Sequence, residues 1–184
     1  MNNTIQLELI NDFQLDPESS QEINALLQKC FVWADYQGRD YYKQLPHYRI
    51  LAKKEGRIIG HLGMDYRVMN LNGSPIKVLG TVDLCVDPAV QGLGIGKAMI
   101  QKMEQLALSY RQRIDFLFLV SEVPGYYEGL GYQVTELTTT WLKIHQHQNY
   151  GVGKERITDA TFLYKAVGDK VWEDGELDLL GYMY

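Results

Sequence analysis

The chain has 184 residues, 46% hydrophobic and 22% charged, with 18 basic against 23 acidic side chains and a net charge of −5. That length can bury ~70% of the unfolded surface, enough for one core without disulfides or metal, and the acidic balance argues against a nucleic-acid or anionic-membrane footprint. No apolar run approaches the ~20 residues of a membrane span, and Met1-Asn2-Asn3-Thr4-Ile5-Gln6 has neither basic leader nor apolar signal core, so a cytoplasmic protein without membrane or nucleic-acid partners is expected.

Thr4–Ile10 alternates apolar and polar residues and predicts a first strand. Asp16-Pro17-Glu18 is a helix start, with an acid as N-cap and proline at the first helical position. Ile23, Leu26, Leu27, Cys30, Phe31 and Ala34 then keep helical spacing, which predicts an amphipathic helix to about Ala34. Residues 35–48 change character: Tyr36, Tyr41, Tyr42 and Tyr48 are broken by Gly38 and Pro46. Tyrosine joins an apolar body to a polar tip, so this irregular segment suits either a ligand wall or an aromatic-packed connector.

Arg49–Lys53, Arg57–Val68 and Ile76–Val86 read as antiparallel strands, the last two joined by Asn72-Gly73, a strong two-residue hairpin signal. Gly94–Tyr110 predicts a helix with Ile95, Met99, Met103, Leu106 and Tyr110 along one face. Ile114–Val120 is nearly unbroken apolar sequence, as in a strand covered on both faces. A short helix around Pro124–Gly129, a strand from Tyr132, and strands near Thr140–Ile144 and Thr161–Val167 follow. These elements describe a single α+β domain around a mixed sheet. Cys30 and Cys85 form no Cys-x-x-Cys pair and fit a reduced cytosol as small buried hydrophobes. His145 and His147 would share one face of a strand, a thin basis for a metal, and none is expected.

The informative stretch is Val86-Asp87-Pro88-Ala89-Val90-Gln91-Gly92-Leu93-Gly94-Ile95-Gly96-Lys97, where a strand ends, a glycine-rich loop follows and a helix opens. Free N–H groups and the positive end of a helix dipole then converge on one point, a place for phosphate. A P-loop fails, because Gln91 stands five before Gly96 and Ala98 follows Lys97. A dinucleotide fingerprint begun at Gly92 reaches Lys97 where glycine is needed.

The stretch does match Val-x-Pro-x-x-Gln/Arg-x-x-Gly-x-Gly/Ala, and Gly125-Tyr126-Tyr127-Glu128-Gly129-Leu130-Gly131-Tyr132 is similar to a second motif, aromatic-Tyr-x-x-x-Gly-aromatic. On these motifs and the order of elements, over about residues 47–135, the chain resembles the GCN5-related N-acetyltransferase (GNAT) superfamily. The resemblance implies a mostly antiparallel central sheet, splayed in the middle, with helices on both faces. It implies acetyl-CoA, or another acyl-CoA, as donor and co-substrate. The pyrophosphate would rest on Gln91, Gly92, Leu93, Gly94, Ile95, Gly96 and Lys97, and the pantetheine would pair with Leu84, Cys85 and Val86. An amine acceptor would attack directly, leaving Cys85 without a covalent role. Tyr127 would protonate the leaving thiolate. Asp83 is the candidate base, although relatives often carry the acid one residue earlier, at the position of Val82; binding the acceptor's ammonium or fixing a turn are its other possible roles.

The acceptor side falls to Tyr36, Tyr41, Tyr42 and the tail. The acidic run Asp169–Asp178 reads as a solvated turn or as an attraction for a cationic amine. A weaker resemblance, to aminoglycoside 2′-N-acetyltransferases, rests on this tail and its aromatic end, and implicates Tyr184. The whole of residues 1–184 is thus expected to be one domain, with a core of about 1–144 and an acceptor-side extension of about 145–184. The expected activity is transfer of acetyl to a primary amine of a small cationic acceptor. A longer acyl-CoA or acyl-carrier donor and a catalytically idle acyl-CoA sensor are the alternatives. Many relatives form homodimers, and no interface is legible here.

Overall fold

A computed structural model describes residues 4–158 and 160–184. Residues 1–3, which open the segment expected to carry no leader, lie outside the described residues. The strands are β1 (Gln6–Asn11), β2 (Tyr48–Lys54), β3 (Arg57–Leu71), β4 (Ser74–Val86), β5 (Phe116–Ser121), β6 (Gln133–Thr135), β7 (Leu137–His145), β8 (Gln148–Arg156), β9 (Thr161–Ala166) and β10 (Gly175–Tyr182). The helices are α1 (Pro17–Cys30), α2 (Ile95–Ser109) and α3 (Pro124–Glu128). The chain groups into two compact units: Met1–Asp65 with Val82–Gln105, and Tyr66–Thr81 with Leu106–Tyr184.

In the first unit β2 pairs antiparallel with both β1 and β3. Asp16 caps α1 by accepting the Ser19 N–H at 2.8 Å, with Pro17 at the first turn, as the sequence predicts. The helix ends at Cys30 and not near Ala34. Phe31 leaves helical geometry (φ −115°, ψ 66°) at the start of Phe31-Val32-Trp33, three aromatic or β-branched residues with weak helix propensity. Ile23, Leu26 and Leu27 pack with Leu51, Ile58, Tyr36 and Cys85. A side chain added at Gly60 would meet Met99 of α2 and Ala52 of β2. Leu51 and Ala52 are successive strand residues and point to opposite faces. The two helices therefore cover opposite faces of this sheet.

The second unit holds the strand order β6-β9-β5-β4-β3-β10-β7-β8. The β4–β5 pairing is parallel, with rungs from Val78↔Phe116 to Gly80↔Phe118; β10–β7 is also parallel. The Asn72-Gly73 turn has φ of 51° and 83°, the conformation its sequence predicts. Asn72 has a further use, because its side chain accepts the Glu176 N–H and donates to the Glu173 carbonyl. It thereby fastens the tail to the hairpin. Trp172 stacks on Tyr164 at 4.5 Å and on Phe118 at 5.8 Å, meets Phe116 edge-on, and donates its indole N–H to Thr135.

Two tail expectations change. Residues 148–156 and 175–182 form strands, so part of the acidic run is a sheet element and not a solvated turn. Its polar atoms are used internally: Thr135 donates to Asp174, Lys154 pairs with Glu176, and Asp178 accepts the Leu180 N–H. His145 ends β7, while Gln146 and His147 form a turn with φ of 46° and 61°, so the two histidines do not share a strand face. Among the described residues no helix is long and apolar enough to cross a membrane.

Candidate active site

The glycine-rich loop belongs to the first unit. Asp87 starts it by accepting the Ala89 N–H at 2.9 Å and pairing with Lys29 at 2.6 Å, and Gln91 donates back to the Val86 carbonyl at 3.0 Å. Gly92 and Gly94 have φ of 79° and 77°, and a side-chain carbon at either would meet no protein atom. Their requirement is backbone conformation in an open loop. Ala98 makes the first bond into α2, to the Gly94 carbonyl. The N–H groups of Ile95, Gly96 and Lys97 thus stand at the head of the helix, with no acid in its first turn. This fits a phosphate-bearing ligand.

Leu84, Cys85 and Val86 are the last residues of the strand β4 before that loop. Cys85 is buried and hydrogen-bonds Cys30; that bond, reinforced by burial, pushes its thiol well up. A thiol so held is a poor nucleophile. Val82, where relatives often have an acid, packs its Cγ2 over the backbone of Gly63. That position is half-buried and apolar.

Asp83 has a φ of 49°, a left-handed residue inside a strand. The half-buried carboxylate accepts from the Tyr36 hydroxyl at 3.1 Å and from the Tyr42 backbone N–H, with the Arg49 and Lys43 charges nearby. Burial raises its pKa, and these partners offset part of the rise. Burial together with the Asp83 charge pushes the Tyr36 hydroxyl far up, and burial lowers the Lys43 ammonium. Tyr36 is only 2% exposed and joins a chain of rings, 5.5 Å from Tyr42, which in turn meets Trp33 at 6.0 Å. Tyr36 and Tyr42 are therefore brought to Asp83. Tyr41 instead lies under the Arg39 guanidinium at 5.5 Å.

Sequence reasoning missed the polar interior behind Asp83. Arg49 is fully buried and His61 nearly so. Arg49 donates to Asp12 at 2.8 Å and to the Asp40 carbonyl at 2.8 Å, and lies 3.0 Å from His61. The available signal was an arginine heading the apolar run Ile50-Leu51-Ala52. A charge there must be paired.

Tyr127 and Tyr184 belong to the second unit. Tyr127 lies in α3, 9% exposed, 5.1 Å from the Tyr126 ring and 5.9 Å from Tyr132. Burial pushes its phenol up to about 12, partly offset by a hydrogen bond with Ser121, so it holds its proton at neutral pH. Tyr184 lays its ring against Gly80 and 6.0 Å from Phe118, the residues of the last β4–β5 rung. Arg67 stacks on both Tyr184 and Tyr182. Among the described residues no cluster of three or more His, Cys, Asp or Glu side chains could hold a metal.

The fold is shared with solved N-acetyltransferases of low sequence identity. YhbS of Escherichia coli, a GNAT family N-acetyltransferase crystallised with CoA, superposes with a TM-score of 0.62 at 14% identity, over 97% of this chain and 92% of that one. A GNAT family acetyltransferase from Brucella melitensis, in complex with acetyl-CoA, gives 0.57 at 17% identity, covering 94% of each chain. An acyl-CoA N-acyltransferase from Pseudomonas aeruginosa gives 0.58 at 12% identity, covering 89% of this chain and all of that one. A search of curated protein sequences returns no significant match. The family model described as the acetyltransferase (GNAT) domain matches residues 14–135, and the chain belongs to that acyltransferase family.

Proposed function

We propose that the protein transfers the acetyl group of acetyl-CoA to a primary amine of a small, cationic acceptor, and that residues 1–184 serve this one activity. The observation that carries the reading is the loop from Gln91 to Lys97, whose open glycines and unopposed helix N-terminus suit a pyrophosphate. Backbone amides supply the attraction, so a net charge of −5 is no obstacle, and the acidic surplus suits a cation.

In this reading the pantetheine runs beside Leu84–Val86, and an N–H there polarises the thioester carbonyl as charge grows on its oxygen. The neutral amine attacks the carbonyl carbon; the C–N bond forms and the C–S bond breaks. Asp83 receives the proton the amine loses. Its burial-raised pKa makes it a better acceptor than an ordinary carboxylate. Tyr127, which holds its proton, supplies one to the CoA thiolate. The high thiol pKa of Cys85 favours direct attack over a cysteine intermediate.

The test is CoA release from acetyl-CoA across a panel of amines, with acetyl-CoA binding measured in parallel by calorimetry. Turnover of at least one amine is expected. Tight binding with no turnover on any amine would replace this reading with an acyl-CoA sensor, and turnover only with a longer acyl-CoA would change the donor.

A further inference from the structure

Neither Arg49 nor His61 takes part in the proton transfers, yet both lie in the interior of the first unit, 0% and 1% exposed. Arg49 Nε donates to Asp12 at 2.8 Å, Nη1 to the Asp40 carbonyl at 2.8 Å, and Nη2 reaches the Asp40 carboxylate at 3.3 Å. Nη1 also lies 3.0 Å from His61 Nε2, and His61 Nδ1 lies 2.8 Å from the Asp83 carbonyl oxygen.

The neighbours of the ring fix its tautomer. A guanidinium offers only donors, so Nε2 accepts; a carbonyl oxygen only accepts, so Nδ1 carries the proton and donates. One neutral tautomer satisfies both contacts. Burial, with the Arg49 charge, pushes the ring's pKa down to about 3, which keeps it neutral under ordinary conditions.

The carbonyl held this way belongs to Asp83, the left-handed residue within β4. In a trans peptide the C=O and the following N–H point in opposite directions. Gripping the Asp83 oxygen therefore sets the direction of the Leu84 N–H, and holds the backbone from which the Asp83 carboxylate projects.

We propose that Arg49 and His61 are a positioning pair for acyl transfer, locking the Asp83–Leu84 peptide so that the Leu84 N–H and the Asp83 carboxylate are aimed at the reacting groups. This rests on the function proposed above. Arg49, anchored by Asp12 and Asp40, holds the ring; the ring holds the peptide. A purely structural pair would change stability and leave turnover of the folded enzyme intact.

Three substitutions separate these roles. His61→Asn keeps an N–H donor near the place of Nδ1. His61→Leu removes it at similar volume. His61→Gln, whose amide aligns with Nε2, serves as a second loss variant if the leucine protein does not fold. With an amine that the wild type acetylates, the Leu or Gln variant should lose about 10²-fold in kcat, with the KM for acetyl-CoA within about threefold of wild type. His61→Asn should recover about tenfold of that loss. Ring ¹⁵N shifts of wild-type His61 should report the Nδ1–H tautomer, without titration from about pH 5 to pH 8. A kcat within about threefold of wild type in the loss variant, equal losses in the loss and Asn variants, an Nε2–H tautomer or a titrating ring would each overturn the proposal. If the wild type binds acetyl-CoA but acetylates no amine, the functional reading fails by itself. The pair is then judged on the Leu84 amide resonance, which the loss variant must shift and His61→Asn restore; an unmoved resonance overturns it.

Discussion

In the first unit the interior is crossed by charge: Asp12, Asp40 and His61 meet around Arg49, and the chain of hydrogen bonds ends at the Asp83 backbone. In the second unit the interior is aromatic: Trp172 lies among Phe116, Phe118 and Tyr164, with Phe162 stacked beyond. The two serve different ends. A donor–acceptor chain is directional and can hold one peptide in an uncommon conformation, whereas stacked rings supply buried area with looser geometry. Asp83, left-handed within β4, stands at the end of such a chain; Leu180, left-handed within β10 of the second unit, is held likewise by a polar contact, its N–H donating to Asp178.

Tyr127 offers the hardest test of this contrast, because it is an aromatic core residue of the second unit assigned a chemical task. Tyr127→Phe keeps the ring among Tyr126 and Tyr132 and deletes only the hydroxyl. Turnover should fall ~10²–10⁴-fold with little change in acetyl-CoA affinity, read from steady-state rates and calorimetry. An unchanged rate would return Tyr127 to packing and leave the aromatic unit without chemistry.

Arg49→Met and Trp172→Ala compare the two interiors directly. Removing the guanidinium strands Asp12 and Asp40, a loss of about 3–5 kcal/mol, and truncating the indole opens a cavity costing about 3–5 kcal/mol. Both thermal midpoints should drop by roughly 10 °C. They part when the acids are neutralised by substitution: adding Asp12→Asn and Asp40→Asn to Arg49→Met removes the uncompensated charges and should recover part of its loss, while the same two changes should not ease the Trp172→Ala cavity. Equal response of the two midpoints to the added substitutions would erase the distinction between the interiors.

Legibility in the sequence follows the same division. Short-range signals were readable: Asp16-Pro17 at the start of α1, Asn72-Gly73 at the hairpin, and the glycine loop ahead of α2 each act through local backbone preference. The end of α1 is not legible from periodicity, which continues past Cys30 although Phe31-Val32-Trp33 is poor helix material. The strand β10 was hidden by its acids. Glu176 and Asp178 look like a solvated turn until Lys154 and the Leu180 N–H are known to receive them. Asp83 was singled out as a carboxylate, but the partners that shape it come from residues 36, 42, 49 and 61. Such contacts arise from tertiary pairing and leave no local pattern.

Asp83→Asn comes next in expected size. Burial raises the carboxyl above its ordinary 3.8, so kcat/KM of the wild type should climb with pH through a limb above that value as the base form appears. The variant should lose about 10²-fold at about pH 7 and lose the limb. Stability moves the other way. A folded pKa above the unfolded one means that ionising Asp83 opposes folding as pH rises through 3.8 and beyond, so the variant's midpoint near neutral pH should be no lower than wild type's. A changed KM with the limb intact would instead make Asp83 the seat of the acceptor's ammonium.

The smallest effect belongs to a charge of the same unit placed at its surface. Lys29 lies 2.6 Å from Asp87 with half its side chain in solvent, and this pair, followed by the Ala89 N–H, holds the Asp87 carboxyl below 3.8. A depressed folded pKa contributes stability that is fully present above 3.8 and lost as pH falls through the lower folded value. Asparagine is an equally good cap, so Asp87→Asn retains an acceptor for Ala89 and removes the ion pair alone. Screening limits that pair to roughly 0.2–1 kcal/mol, a midpoint change of about 1–3 °C. The difference should vanish near 1 M salt, where the Debye length is about 3 Å, while the Arg49→Met loss, shielded from solvent, should persist. A salt-resistant Asp87→Asn difference would mean that the loop-starting cap, rather than the ion pair, is what the carboxylate provides. In that case the contribution of charge to the first unit would be confined to its interior.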